Sequence, residues 1–233
     1  MSDNIEIPEI EDEIILPSQE FINRSKAKSV ANKTSTPKNK GTGAGGKKTN
    51  KNGLSFEDKT NNEKRLEKQG FIRKTIQGSK ENAKTHFYLI KEISSTKRII
   101  YLKKDGLKKY FKVVYNEVKI CRSPDEAYLI INGDDITLKV LEKKTQNCKG
   151  SVEEKIMAAE GNRLTIQRGI EHTKVKVTYA FCICDWLKEN TYLGDKPKNE
   201  IYRAILKEWD IPVLFGGDKN YFEELDKWVY GDI

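Results

Sequence analysis

The clearest alternation of apolar and polar positions lies in the middle of the chain. Residues 127–131 (AYLII) and 136–141 (ITLKVL) are rich in β-branched and apolar side chains, as β-strands usually are. The four residues between them, Asn132 to Asp135, are of the types that favour a tight turn. The pattern therefore predicts an antiparallel β-hairpin in which Ile131 faces Ile136.

The predicted register continues outward from the turn in three further pairs: Leu129 with Leu138, Ala127 with Val140, and Asp125 with Glu142. Directly opposed side chains lie about 5 Å apart at Cβ. Two carboxylates at that distance repel each other unless a positive charge lies between them. Hard oxygen ligands favour Mg²⁺ or Mn²⁺. The hairpin therefore predicts that Asp125 and Glu142 share a divalent metal ion.

The strand that ends at Glu142 adds further polar groups. Glu142, Lys144 and Gln146 are two residues apart, so side-chain alternation places them on one face of a continuing strand. A lysine beside a metal can orient a water molecule or stabilise negative charge on a phosphate. We expect Lys144 to be catalytic and Gln146 to contact the water or the scissile phosphate. These groups together are suited to hydrolysing a phosphodiester.

The order Pro124-Asp125, sixteen intervening residues, then Glu142-Lys143-Lys144 resembles the signature of the PD-(D/E)XK nucleases. That superfamily includes most type II restriction endonucleases. The segments PDEAY, LEKK and GSVEEK are most similar to restriction-like nucleases of large DNA viruses of protists and algae. The resemblance covers roughly residues 53–230. It implies that Asp125 and Glu142 bind Mg²⁺, for which Mn²⁺ can substitute, and that Lys144 is catalytic.

A second interpretation of the hairpin gives it no catalytic role. One third of the chain is charged (33%), so an acidic residue two positions before a lysine also arises by chance. Only the triplet that begins at Glu142 ends a convincing strand whose partner carries a Pro-Asp pair. The alternative is a hairpin whose solvent face carries ordinary surface charges.

The N-terminal region has a different composition from the rest. Residues 1–20 contain acidic but no basic residues, and residues 21–52 contain basic but no acidic residues. The second segment is also rich in Gly, Ser, Thr and Asn, so it cannot bury a core. We expect residues 1–52 to form a disordered tail and residues 53–233 to form the nuclease domain. The basic segment is either an arm that holds DNA or targets a nucleus, or a solvated linker.

The domain is expected to be α/β, a restriction-endonuclease-like mixed β-sheet flanked by α-helices and preceded by the tail. Its first helix is predicted over residues 56–68. Related nucleases often place a glutamate of such a helix beside the metal, which implies a catalytic role for Glu57, with Glu63 as the second candidate. The other predicted elements are strands at 86–93, 97–103, 163–170, 174–183 and 211–215, and helices at 104–115, 151–160, 199–209 and 221–229.

The overall charge agrees with a nucleic-acid partner. Net charge is +8 and the isoelectric point is about 9.1, which suits a polyanion. The four cysteines lack zinc-site spacing, and no secretory or membrane-spanning pattern occurs, so we expect an intracellular protein. Within a host cell this means cytoplasm or nucleus, with packaging in a virion as a further option.

The function expected from the resemblance is Mg²⁺-dependent endonuclease action on double-stranded DNA, as in a type II restriction enzyme. A homodimer is implied, because restriction enzymes commonly dimerise to cut both strands. Three alternatives stay open at the sequence level. One is a structure-selective nuclease of DNA repair or recombination. The second is a nucleic-acid-binding protein that does not use its nuclease-like site. The third is a virion or scaffold protein whose charges only aid packing.

Overall fold

A seven-stranded mixed β-sheet flanked by α-helices organises the chain, as the computed structural model shows. The structure describes residues 55–81, 83–116, 118–146 and 152–231. The predicted tail, residues 1–52, lies outside the described residues. No helix in the described ranges is long and apolar enough to span a membrane. The expected α/β class with a mixed, helix-flanked sheet is therefore confirmed at this level.

The strands follow one another across the sheet in chain order. They are β1 (Ile72–Thr75), β2 (Phe87–Glu92), β3 (Lys97–Leu102), β4 (Glu126–Asn132), β5 (Asp135–Lys144), β6 (Lys176–Ile183) and β7 (Val213–Phe215). The first five strands pair antiparallel, whereas β5, β6 and β7 pair parallel. A parallel pair needs a crossover, and helices after β5 and β6 supply it.

Residues 55–59 are helical and precede the first complete helix. The helices are α1 (Glu63–Lys68), α2 (Asp105–Tyr115), α3 (Val152–Met157), α4 (Ala159–Gly169), α5 (Asp185–Leu187), α6 (Pro197–Glu208) and α7 (Tyr221–Tyr230). A 3₁₀ turn (Glu171–Thr173) and a π-helical turn (Lys188–Tyr192) complete the helical structure. The crossover from β5 to β6 therefore runs through α3 and α4.

The register of the β4–β5 hairpin is the one predicted from sequence. Ile131 pairs with Ile136, and the ladder ends at the pair Glu126–Leu141, one residue short of the predicted pair Asp125–Glu142. Gly133 has φ +57°, a left-handed conformation that glycine adopts without steric cost, so it allows the tight turn. Because strand side chains alternate, this register determines which residues share a face of the sheet.

Each face of the sheet has its own apolar cluster. The front face, defined by Ala127, Leu138 and Val140 among others, packs against α2, α3, α4 and α6. The back face, defined by Tyr128 and Leu141 among others, packs against α1 and α7. Consecutive residues of β5 therefore point into different environments.

Two element predictions were wrong, and one strand was missed. Residues 163–170 are not a strand, because Ala159 to Gly169 form α4. Ile166 and Ile170 are buried four residues apart, the spacing of a helix face, whereas Leu164 is exposed. The helix predicted over 56–68 is interrupted at residues 60–62, and the edge strand β1 was not predicted.

Candidate functional site

The expected site lies at one end of three neighbouring strands, where β3 and β5 finish and β4 begins. The pairings of β3 with β4 and of β4 with β5 bring the end of β3, the start of β4 and the end of β5 together. Lys104 lies two residues after β3, and Asp125 lies directly before β4. Glu142 and Lys144 are among the last three residues of β5. The main-chain N–H of Lys104 donates to the carbonyl of Pro124 at 2.8 Å. This bond holds the end of β3 against the residue before Asp125.

The two predicted metal ligands are each held by one hydrogen bond. Asp125 Oδ2 accepts from the main-chain N–H of Lys143 at 2.8 Å. Glu142 Oε2 accepts from Lys144 Nζ at 2.6 Å. Within the part of the chain that the structure describes, neither carboxylate makes another hydrogen bond, so each keeps one oxygen for a ligand.

The pKa of Glu142 depends on its burial and on the charged groups around it. Burial raises the pKa of the Glu142 carboxyl above its usual value, while the Lys144 ammonium opposes the rise. The charge of Asp125 adds to the rise, and Arg122 opposes it. Asp125 and Glu142 are therefore close enough to repel each other. A cation bound to both would remove that repulsion and favour the ionised form of Glu142.

These residues fit a magnesium ion. Mg²⁺ is commonly bound by one or two carboxylates together with water and substrate phosphates. Asp125 and Glu142 supply two carboxylates, each with an oxygen that has no hydrogen-bond donor. The described residues contain no group of three or more His, Cys, Asp or Glu side chains that could hold a metal. The donor set therefore matches an ion that takes its remaining ligands from solvent and substrate.

Gln146 and Glu57 are less directly connected to these carboxylates. The main-chain N–H of Gln146 donates to Cys184 Sγ at 3.4 Å, which holds Gln146 beside the end of β6. Glu57 Oε2 accepts from Lys104 Nζ at 2.9 Å. The second candidate on this segment, Glu63, pairs with Lys103. Glu57 therefore reaches the neighbourhood of Asp125 through a lysine and not by direct contact.

Lys104 is a site residue that the sequence did not single out. The hydrogen bond to Glu57 raises the pKa of Lys104, burial opposes the rise, and the charges of Glu57 and Asp125 add to it. Its backbone has φ +48°, a conformation that non-glycine residues rarely adopt. Such conformations are concentrated at functional sites. The lysine-rich run at residues 103–109 was the only signal in the sequence.

Behind the site, on the back face, lies a buried ion pair between Lys143 and Glu126. Lys143 Nζ donates to Glu126 Oε1 at 2.6 Å and to the carbonyl of Thr60 at 2.8 Å. Tyr128 Oη donates to Glu126 Oε2 at 2.9 Å and accepts from Asn62 Nδ2 at 3.0 Å. The same lysine that orients Asp125 through its main chain is thus anchored through its side chain.

Comparison with family models, with curated proteins and with solved structures finds no match to this chain. The residues of the site and their geometry are therefore the basis for proposing a function.

Proposed function

We propose that the protein is a magnesium-dependent endonuclease with a restriction-endonuclease-like fold that hydrolyses phosphodiester bonds of double-stranded DNA. The observation that carries the proposal is the Lys144–Glu142 contact at the end of β5, where Asp125 is held by the main-chain N–H of Lys143 and its charge acts on Glu142. The raised pKa of Glu142 supports it, because perturbed carboxylates are concentrated at functional sites.

Each residue has a role in this proposal. Asp125 and Glu142 would hold the ion, which when bound supplies an activated water and neutralises phosphate charge. Lys144 keeps Glu142 in place through its 2.6 Å contact and brings a positive charge to where negative charge develops on the phosphate. The main-chain N–H of Lys143 orients Asp125. Lys104 places a second positive charge beside Asp125, suited to a phosphate of the DNA backbone.

The direct contact between Lys144 and Glu142 also favours a second candidate. The Lys144 ammonium already neutralises the Glu142 carboxylate, so the pair does not require a metal ion or a substrate. A non-catalytic protein that binds nucleic acid through its positive charge would contain the same pair. Both candidates predict DNA binding that weakens as salt concentration rises, so only cleavage separates them.

The deciding experiment incubates the protein with Mg²⁺ and either plasmid or branched DNA. Discrete plasmid fragments indicate a restriction-like enzyme, and cutting of branched DNA alone indicates a structure-selective nuclease. Binding without cleavage in Mg²⁺ or Mn²⁺ supports the non-catalytic candidate and refutes the proposed function.

Variants then test the residues. Asp125→Ala, Glu142→Ala and Lys144→Ala should each abolish cleavage, and only the first two should weaken Mn²⁺ binding, since each removes an anionic ligand. Asp135→Ala is the matched control. It removes a carboxylate from the opposite end of β5, where Asp135 makes an exposed ion pair with Lys176. Cleavage by Asp125→Ala or Glu142→Ala at the control's rate would refute the assignment.

A further inference from the structure

Tyr179 lies in the middle of β6 on the front face of the sheet, and its side chain is 1% exposed. Its register partner on β5 is Val140, and Glu142 follows two residues later. Because side chains two residues apart share a face, Glu142 is a diagonal neighbour of Tyr179. The tyrosine ring therefore packs beneath the candidate site. The Phe181 ring lies edge-on to it, with 5.5 Å between the ring centroids.

The hydroxyl of Tyr179 is buried and makes no hydrogen bond within the described residues. The Asn162 side chain, on α4, faces this hydroxyl without reaching normal hydrogen-bond geometry. Buried hydroxyls nearly always have a partner, because losing water without gaining a protein hydrogen bond is unfavourable. An unpartnered hydroxyl beside a polar site therefore indicates a ligand that completes it.

The charges around the hydroxyl belong to the candidate site. Burial raises the pKa of Tyr179, and the Glu142 carboxylate adds to the rise. Asp125 acts in the same direction, whereas Asn162 and Arg122 oppose it. The hydroxyl therefore keeps its proton at neutral pH and is a hydrogen-bond donor. Glu142 keeps an oxygen without a donor, so the two groups are complementary but not joined.

We infer that the Tyr179 hydroxyl donates a hydrogen bond to a water molecule bound between it and Glu142, and that this water is the nucleophile of the proposed hydrolysis. The inference rests on the proposed function. A buried water needs two to four polar partners, and Tyr179, Glu142 and the Asn162 amide provide three. Accepting a hydrogen bond from Tyr179 and donating one to Glu142 leaves the water a lone pair directed at the phosphate. As the water oxygen bonds to phosphorus, its proton passes to the Glu142 carboxylate and the bond between phosphorus and the leaving oxygen of the DNA strand breaks. Tyr179 transfers no proton and acts by holding this oxygen in place.

The test is Tyr179→Phe, which removes the hydroxyl and preserves the ring. Because the hydroxyl makes no hydrogen bond with any residue that the structure describes, the melting temperature should stay the same or rise. The kcat for plasmid cleavage should fall about tenfold, the effect of losing one hydrogen bond to a reacting group. The KM for DNA and the affinity for Mn²⁺ should not change, since Tyr179 binds neither. A tyrosine with only a packing role would not produce this combination.

Tyr221→Phe is the matched control. Tyr221 is also buried, and its hydroxyl has no hydrogen bond within the described residues, but it lies on the back face near Cys182. Its removal should leave kcat unchanged. Equal kcat for wild type and Tyr179→Phe would overturn the inference while leaving the proposed function intact. A fall in kcat that follows a fall in melting temperature would also overturn it. A wild-type protein that cleaves no DNA would overturn both.

Discussion

Two lysine–glutamate pairs lie at the same end of the β4–β5 hairpin, one on each face of the sheet. In the back-face pair, Lys143 and Glu126 have side chains that are 4% and 3% exposed. In the front-face pair, the exposures of Lys144 and Glu142 are 22% and 14%. Both pairs have the same separation, 2.6 Å, so distance does not distinguish them.

What distinguishes the pairs is how far the fold satisfies their hydrogen bonds. The back-face pair has further partners in Thr60 and Tyr128. The front-face pair has only its mutual bond among the described residues, and burial raises the pKa of Glu142. A charged group that is desolvated but incompletely bonded can gain free energy from a ligand, whereas a completely bonded one cannot. The fold thus gives Lys143 two side-chain partners and Lys144 one among the described residues, which suits the catalytic role proposed for Lys144.

The largest expected effect concerns the back-face pair. Lys143→Met should lower the free energy of unfolding by about 3–5 kcal/mol, because it leaves Glu126 buried without a positive partner. The double variant Lys143→Met with Glu126→Gln should recover part of this loss. Urea denaturation measures both. If Lys143→Met were no less stable than Lys144→Met, the distinction between the two pairs would be wrong.

The second expected effect concerns the front-face pair, for which we expect a small loss of stability and a large loss of cleavage rate. Lys144→Met should lower the free energy of unfolding by about 1 kcal/mol or less, because Glu142 is partly open to solvent. The cleavage rate should nevertheless fall about a hundredfold or more, as happens when a charge that stabilises the transition state is removed. Single-turnover cleavage with saturating DNA and Mg²⁺ measures it. Loss of stability without loss of rate would contradict the reactive role.

A smaller effect is expected at Glu57. Glu57→Gln should lower the cleavage rate by less than about tenfold, because its carboxylate contacts Lys104 and reaches Asp125 only through that lysine. Mn²⁺ affinity, measured by calorimetry, should remain within a few-fold of wild type. A loss as large as that of Asp125→Ala would mean that Glu57 binds the metal directly.

The smallest expected effect is a difference in thiol reactivity between Cys182 and Cys184. Cys182 lies on the back face, and burial raises the pKa of its thiol to about 12. At pH 8 only about 10⁻⁴ of it is the reactive thiolate. Cys184 is partly exposed beside Gln146. Iodoacetamide followed by peptide mass spectrometry should therefore modify Cys184 and spare Cys182 until the protein unfolds. Equal modification of both in the folded protein would show that the back face opens.

Local patterns in the sequence were sufficient for the hairpin. The turn residues Asn132 to Asp135 and the alternation on both sides of them determine one register, since a shift by one residue would reverse both faces. The same alternation predicted that Glu142 and Lys144 share one face, and the two side chains form an ion pair there. The final helix, α7, was also predictable, because its apolar residues repeat at helical spacing.

Other features depended on contacts between distant segments. Residues 163–170 contain Leu164 and Ile166 in apparent alternation, yet packing of Ile166 and Ile170 against the sheet selects a helix. Short apolar runs are compatible with either structure until a partner surface buries one side. The hydrogen bond between Glu57 and Lys104 likewise joins residues 47 positions apart in the chain.

The sequence by itself determined which acidic and basic residues meet at the end of the hairpin, because β-strand geometry repeats every two residues. It did not determine which of the two adjacent lysines is buried. That depended on Thr60, 83 positions from Lys143, and on the back-face helices that exclude water from Glu126. The position of Tyr179 diagonal to Glu142 was likewise decided by the parallel pairing of β6 with β5. Burial and hydrogen-bond satisfaction are properties of the assembled sheet and helices, so only the tertiary structure separates the buried ion pair from the partly exposed one.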